Sequence, residues 1–288
     1  MKKTLKKISF ALFSAAILFN FAACSSGDGD SSGSGLEIPP ATPVKLPESS
    51  GENPFKGKTF TTNSYTETTF IFSETSVVVI EKGEDYETQN TYAYTYDADN
   101  SLLYLNLKKI QNTFDNKTYS WSSTSEYINL MLSNPSGNKP SADAIAYDTA
   151  SANNDFSLLN TYKYTITGNE IKLTSYFNGQ LPTNDSFYFY DYQSGLNISS
   201  NSNRFLIEND NSEIRYEGFP TFTADTFTVT IFKTKKKDYE NYTKIGTIKG
   251  TYKTEGTGTD NCKIILTFTE MPDELSSYKD KEITLSNY

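Results

Sequence analysis

The segment YKYTITGNEIKLTSY, Tyr162–Tyr176, decides the fold because it has the pattern of two β-strands and a tight turn. Apolar and polar residues alternate in both of its halves, and successive side chains of a strand point to opposite faces. Gly168-Asn169 separates the two alternating runs, and such a pair is typical of a hairpin turn. The sequence therefore predicts an antiparallel hairpin with its turn at Gly168-Asn169.

Alternating runs of the same kind recur at short spacing through most of the chain. The composition suits them, since the 288 residues include 21 Tyr and 19 Phe, and aromatic side chains favour strands. We predict an all-β fold, an antiparallel barrel or barrels or a sandwich. The further runs are TTFIFS, TSVVVIEK, TYAYTYD, LLYLNLKK, FYFYDY, RFLIEND, EIRYEG, FTVTIF, IGTIKGTYKT, CKIILTF and KEITLSNY.

One segment, 109–156, departs from this pattern. It holds Trp121 and the run EYINLML among many Ser, Asn, Asp, Gly and Pro residues. An irregular loop of that length is unusual within a compact domain. We predict a long excursion from a barrel, or an interdomain segment, with one short helix at EYINLML.

A faint internal repeat bears on the number of domains. The run SETSVVVI lies over ADTFTVTI, and each precedes a polar loop, a tyrosine-bearing strand and an aliphatic strand. This predicts two β domains, 53–180 and 185–288, joined near 179–185. The alternative is one β domain over 53–288.

The N-terminus has the layout of an export signal. Four lysines precede an uncharged, mainly apolar run, Ile8–Ala23, which is short for a membrane-spanning helix. The run ends in Ala22-Ala23-Cys24 and there resembles a bacterial lipoprotein signal peptide, with Phe21 where Leu is usual. The resemblance implies cleavage of residues 1–23 and lipid attachment to Cys24. The alternative is an ordinary signal with an incidental cysteine.

The residues after Cys24 suit a tether. SSGDGDSSGSG is typical of a flexible coil, and the proline-rich PPATPVKLPESSG of a semi-extended one. We predict a disordered linker over 24–52 and a protein of the bacterial cell envelope, lipid-anchored at the outer membrane or cell surface. Most strands lack the continuous apolar face of a membrane-spanning barrel, so we predict a soluble folded part.

A weaker resemblance concerns the folded part. Short strands opening with GKTF (Gly57–Phe60), and the later GTIKGTY, look like the lipocalin-like domains of bacterial lipoproteins. The family's opening signature is Gly, any residue, Trp, and the Trp is missing here because Thr59 and Phe60 follow. The resemblance implies an antiparallel barrel with a ligand cavity at one mouth, and no ligand-binding residue carries over.

Charge disfavours nucleic acid and anionic headgroups as partners. Loss of residues 1–23, with their four lysines, lowers the net charge of −9 by four, to −13. The one basic run, KTKKKD at Lys233–Asp238, lies between strand-like segments and is predicted to be a solvated hairpin tip.

Catalytic and metal-binding patterns are weak. The chain has no His, which removes Ser–His–Asp and Cys–His catalysis. Paired carboxylates could serve a hydrolase, but acids such as Glu67, Asp85 and Glu217 are expected to be solvated. We predict no catalytic residue, no metal site and no cofactor.

Three further features have simple structural explanations. Asp97–Ser101 and Glu208–Glu213 resemble calcium loops in residue type, but both lack the glycine of that loop and suit hairpin turns. Cys262 shares a face with Ile264, Leu266 and Phe268 at period two, which predicts a buried, inert thiol.

The sequence thus predicts a non-enzymatic, membrane-anchored lipoprotein. Its binding role could be that of a barrel holding a small apolar or aromatic ligand. The alternative is an adhesin or host-interaction protein with exposed tyrosine-rich strands, and a carboxylate-based hydrolase is less favoured.

Overall fold

The computed structural model describes residues 41, 43–62, 66–133, 140–183, 186–201, 204–237 and 241–287. Cys24, the predicted signal peptide and the first part of the predicted linker lie outside the described residues. The described chain consists mostly of β-strands in two closed barrels, which confirms the predicted fold class.

The first barrel is formed by an eight-stranded sheet of the described chain, of which seven strands make the closed ring. The strand order of the sheet is β4-β3-β2-β1-β8-β7-β5-β6, and β4 also pairs with β5, which closes the ring. All pairs are antiparallel except β1 with β8, which meet in parallel at Thr61 and Glu170. Strand β6 pairs only with the far half of β5, outside the ring. The strands are β1 (Thr59–Thr62), β2 (Glu67–Phe72), β3 (Ser76–Lys82), β4 (Tyr86–Asp97), β5 (Leu102–Phe114), β6 (Lys117–Trp121), β7 (Leu159–Thr167) and β8 (Glu170–Ser175).

The hairpin predicted within Tyr162–Tyr176 is formed by β7 and β8. Thr167 lies opposite Glu170, so Gly168-Asn169 forms the turn, as predicted. Gly168 has φ of +61°, a left-handed conformation that glycine adopts without steric cost.

Phe55 fills the first barrel's core. It is fully buried, stacks on Phe72 with ring centroids 4.7 Å apart, and meets the Tyr164 ring edge-on at 4.8 Å. An Asx turn fixes its position, because Asn53 Oδ1 accepts the Phe55 backbone N–H at 2.9 Å while Asn53 Nδ2 donates to Tyr94 Oη at 3.1 Å. The segment just before β1 therefore plugs the barrel.

The second barrel is an eight-stranded meander within the described chain. Each strand pairs antiparallel with the next, and β16 returns to β9. A 3-10 helix, Asp273–Tyr278, precedes the last strand. The strands are β9 (Ser186–Asp191), β10 (Leu196–Asn201), β11 (Arg204–Asn209), β12 (Ile214–Phe222), β13 (Thr226–Lys235), β14 (Thr243–Glu255), β15 (Lys263–Glu270) and β16 (Glu282–Ser286).

The face predicted at the start of β15 lies inside this barrel. Cys262, Ile264, Leu266 and Phe268 are all buried in one cluster, so the prediction of a buried thiol is confirmed. Phe177, between the barrels in sequence, is also fully buried there and meets the Phe187 ring edge-on at 5.0 Å.

The segment 109–156 is more regular than the sequence predicted. Its start continues β5 and forms β6, and helix α1 (Thr124–Leu132) matches the predicted short helix. A second helix, α2 (Ala142–Ser157), was not predicted, because its sequence is rich in Ala, Asn and Asp and has little apolar periodicity. Ser141 caps it by accepting the Ala144 backbone N–H at 3.1 Å.

The end of the predicted linker is part of the folded structure. Ser50 forms an isolated parallel bridge with Asp97, in which its N–H donates to the Tyr96 carbonyl at 2.9 Å. The Ala98 N–H returns a bond to the Ser50 carbonyl at 3.1 Å. Ordered contact with the first barrel therefore begins before residue 53.

Candidate binding surface

Side chains occupy the interiors of both barrels. In the second barrel Ile198, Val229 and Ile248 are fully buried, and in the first Phe55 fills the centre. Two depressions on the described surface lie outside the barrels: one between hairpin tips at 82–87 and 115–116, the other beside α1 at 122–125. Because side chains fill both interiors, an accessible binding site is more readily found on the outer surfaces.

Strand β9 and the turn after it carry the most exposed aromatic side chains of the described residues. Phe187 and Phe189 point into the barrel, while Tyr188, Tyr190 and Tyr192 point outward with 43, 41 and 90% of their surface exposed. The rings of Tyr190 and Tyr192 meet edge-on with centroids 4.7 Å apart. We call these three tyrosines the tyrosine face. The alternation in FYFYDY is the sequence signal for it.

The turn after β9 holds Tyr192 in place. The Asp191 carboxylate accepts the Gln193 backbone N–H at 3.0 Å and the Ser194 hydroxyl at 2.5 Å. Asn209 Nδ2, from the neighbouring turn, donates to the Ser194 carbonyl at 2.7 Å. Side-chain bonds of this kind are how Asp and Ser stabilise turns, so the most exposed tyrosine stands on a braced loop.

Hydrogen-bonding groups flank the tyrosine face. Tyr190 lies opposite Asn197, and Asn197 lies opposite Glu208, so the three side chains form a row across three strands. Asn197 Nδ2 donates to Glu208 Oε1 at 3.3 Å, and the Tyr190 hydroxyl donates to the Asp210 carboxylate. The surface thus combines aromatic rings with amide and carboxylate oxygens.

Local hydrogen bonds shift the pKa values of two side chains at this surface away from neutral pH. The hydrogen bond to Asp210 raises the pKa of the Tyr190 phenol above its ordinary value. The hydrogen bond from the Ser194 hydroxyl lowers the pKa of Asp191. Tyr190 therefore stays neutral and Asp191 ionised across the physiological range.

A buried ion network lies on the same outer wall, further round the barrel. Glu217 is fully buried and binds two guanidinium groups, those of Arg204 and Arg215, the latter through Nε at 3.1 Å and Nη2 at 2.9 Å. Burial lowers the pKa of Arg204, whose Nε has no hydrogen-bond partner within the described chain. Two tyrosine rings, Tyr147 of α2 and Tyr242, stack 3.8 Å apart next to this network.

The structure does not assemble the acids considered for catalysis. Glu67 begins β2, Asp85 lies in the β3–β4 turn, and Glu217 is in the other barrel. The expectation that Glu217 is solvated is wrong, because its two arginine partners compensate its charge inside the protein. The spacing Arg215-x-Glu217 places one arginine on the same face of β12 as the glutamate. Arg204 lies on a different strand, so its approach left no sequence pattern.

The calcium-like segments are hairpin turns. Asp97 caps the β4–β5 turn by accepting the Asn100 backbone N–H at 3.1 Å and its side-chain amide at 2.7 Å. In the β11–β12 turn, Asn209 Oδ1 accepts the Asn211 backbone N–H at 2.9 Å. Both turns therefore use their polar side chains for local bonds.

The described part of the predicted basic tip, Lys233–Lys237, comprises the end of β13 and the start of the following turn. Lys233 and Lys235 belong to β13, and Lys233 Nζ pairs with Glu274 at 2.7 Å. Lys236 follows in the turn, and its Nζ donates to the Asn209 carbonyl at 2.7 Å. The run contributes to local ion pairs and turns, as a hairpin end does.

Comparison with models of known families, with curated proteins and with solved structures gave no match. Among the described residues, neither helix has the length and hydropathy needed to cross a membrane.

Proposed function

We propose that this protein is an exported bacterial lipoprotein, anchored by Cys24 in the outer membrane or at the cell surface, which binds its partner through the tyrosine face. The role is non-catalytic and needs no cofactor. The observation that carries the binding proposal is the contrast between filled barrel interiors and three outward-facing tyrosines on β9 and the turn that follows it.

The signal pattern supports the anchor. A basic start, an apolar run and Ala-Ala-Cys are followed by residues suited to a leash. Ala41 already packs against the buried cluster around Trp121, so at most about 16 residues, 25–40, separate the lipid-bearing Cys24 from the fold. Such a leash would let the barrels reach a partner beyond the membrane surface.

A ligand inside a barrel is the less favoured binding mode. The meander of the second barrel is the architecture that lipocalins use around a cavity. Here the Phe268 ring lies at an inner position and meets both the Phe205 and the Phe227 rings edge-on, with centroids 6.2 and 5.9 Å apart. A ligand would have to displace these rings, whereas the tyrosine face is already accessible.

The anchor is tested by detergent-phase partitioning of three full-length proteins expressed in bacteria. Wild type and Cys262→Ala should enter the detergent phase, and Cys24→Ala should stay aqueous. Cys262 is the matched control, since it is the chain's only other cysteine and its thiol is buried. If the wild type stays in the aqueous phase, the proposal of a lipid anchor at Cys24 is wrong.

The binding surface is tested by photocrosslinking on intact cells. A photoreactive phenylalanine analogue replaces Tyr192 in one protein and Phe114 in another; Phe114 is a 39% exposed aromatic on the first barrel. Crosslinks should form at position 192 and not at 114. Equal labelling at both positions contradicts the proposal, as does a stoichiometric small ligand retained in native mass spectrometry after Tyr192→Ala.

A further inference from the structure

The tyrosine face is a narrow ridge along a single strand. Alternate residues of a strand lie about 6.6 Å apart, so the three side chains stand in a row, with Tyr192 just beyond the end of β9. The Tyr190 and Tyr192 rings meet at 78° and so present a ring face and a ring edge side by side. An elongated ligand could follow this row.

The exposed area is small for a folded protein partner. A tyrosine buries about 200 Å² when covered, so the fractions exposed here amount to roughly 350 Å². A stable protein interface needs about 800 Å² from each partner. The neighbours that extend the face are polar: Asn197, Ser199 and Ser286 lie opposite the tyrosines on adjacent strands. A second copy of the chain is disfavoured for the same reason.

The flanking groups select for hydroxyl donors. The carboxylate of Asp210 accepts one bond from Tyr190 and has acceptor sites left. Glu208 and Asn197 add further oxygens in the same row. The negative face of an aromatic ring attracts weakly positive C–H bonds, which line one side of a sugar ring. Hydroxyl groups beside stacked C–H faces are the chemistry of carbohydrates.

The charges select against acidic ligands. Glu208 and Asp210 border the face, and the whole chain is acidic. Lys236, from the turn after β13, donates its Nζ to the Asn209 carbonyl. An anionic polymer would meet repulsion here, which leaves neutral sugars.

We propose that the tyrosine face binds a neutral polysaccharide, with sugar rings packed on Tyr190 and Tyr192 and their hydroxyls donating to Asp210 and Glu208. This inference rests on the proposed function and names the class of its partner.

The test is affinity electrophoresis of the full-length protein in detergent micelles. Native gels contain one soluble polysaccharide each: a β-glucan, a xylan, a mannan, an α-glucan, a soluble chitin derivative, and the acidic alginate for comparison. At least one neutral polysaccharide should retard the wild type, and alginate should not. Tyr190→Ala/Tyr192→Ala should weaken retardation at least tenfold, and Tyr192→Trp should retain it.

Phe114→Ala is the control, because it removes from the other barrel an aromatic ring whose exposed fraction, 39%, is close to the 41% of Tyr190. Its retardation should stay within twofold of wild type. The inference is overturned if no neutral polysaccharide retards the wild type, or if the double variant binds equally well. If a protein crosslinks at position 192 but no polysaccharide binds, the polysaccharide inference is wrong and the proposed binding through the tyrosine face stands. If no crosslink forms at position 192 and the double variant still binds polysaccharide, both the inference and the proposed binding surface are wrong.

Discussion

Tyr147 of helix α2 stacks on Tyr242, just before β14 of the second barrel, with ring centroids 3.8 Å apart and planes 11° apart. The same ring contacts Phe219 at 5.0 Å and Phe232 at 5.4 Å. Nearby, the Asp143 carboxylate accepts the Lys244 backbone N–H at 3.0 Å. One helix therefore ties the two barrels together, over the wall that holds the buried ion network.

Tyr147→Ala should uncouple the barrels. It removes three aromatic contacts, and we expect a loss of about 2 kcal/mol in the free energy of unfolding. Trp121 is the chain's only tryptophan and lies on β6, which pairs with β5 of the first barrel, so its fluorescence reports the first barrel while circular dichroism reports both barrels. In urea the two signals should coincide for wild type and separate for Tyr147→Ala. Tyr147→Phe keeps the rings and should behave like wild type; coincident, unshifted curves for the alanine variant contradict the coupling.

Glu217→Gln should be strongly destabilising. It leaves Arg204 and Arg215 in a buried position without a counter-charge, which costs about 3–5 kcal/mol. Chemical denaturation measures the change. The control is Glu74→Gln, which breaks the exposed 2.6 Å pair with Lys56 and should leave the midpoint unchanged. Similar shifts for both variants would mean that burial of Glu217 does not matter.

Asp148→Asn should alter the pH dependence of stability. Burial raises the pKa of Asp148 to about 7 from an unfolded value of 3.8. The folded state then binds more protons than the unfolded state between these values, so wild-type stability falls as the pH rises from about 4 to about 7. Because the Asp148 carboxyl keeps some contact with solvent, we expect this pH-dependent loss in the free energy of unfolding to be about 1–2 kcal/mol.

At pH 8 Asp148→Asn should therefore be more stable than wild type by that amount, and at pH 4 the two should be equal. Thermal melts across this pH range test it. If the stability of Asp148→Asn changes with pH as steeply as that of the wild type, a group other than Asp148 causes the pH dependence.

Phe55→Ala should weaken the first barrel. It empties the core position that stacks on Phe72 and contacts Tyr164, a change that costs about 3–5 kcal/mol. The fluorescence of Trp121 in urea gives the midpoint. Phe114→Ala, at an exposed position, should change stability by less than about 0.5 kcal/mol; an equal loss in both variants would show that Phe55 is not a core plug.

Local patterns were enough to predict the strands and several turns. The hairpin at Gly168-Asn169, the turn at Asp97 and the inward face of Cys262 all depend on neighbours within a few residues. Alternation with period two determines which side chains share a face, and turn residues determine where a strand ends. Helix α2 was not predicted because its apolar residues do not form a clear stripe along one face. Its stability comes from packing on both barrels.

The sequence by itself determined a β-rich chain, its strand segments and the division of FYFYDY into two faces. Only the tertiary structure decided that Phe187 and Phe189 face the core while Tyr190 and Tyr192 face outward, that β1 closes on β8, and that Glu217 is buried between arginines. Alternation defines two faces without saying which one is covered. Which face of a strand is buried and how a barrel closes depend on contacts between residues far apart in the chain. Those contacts leave no local sequence pattern.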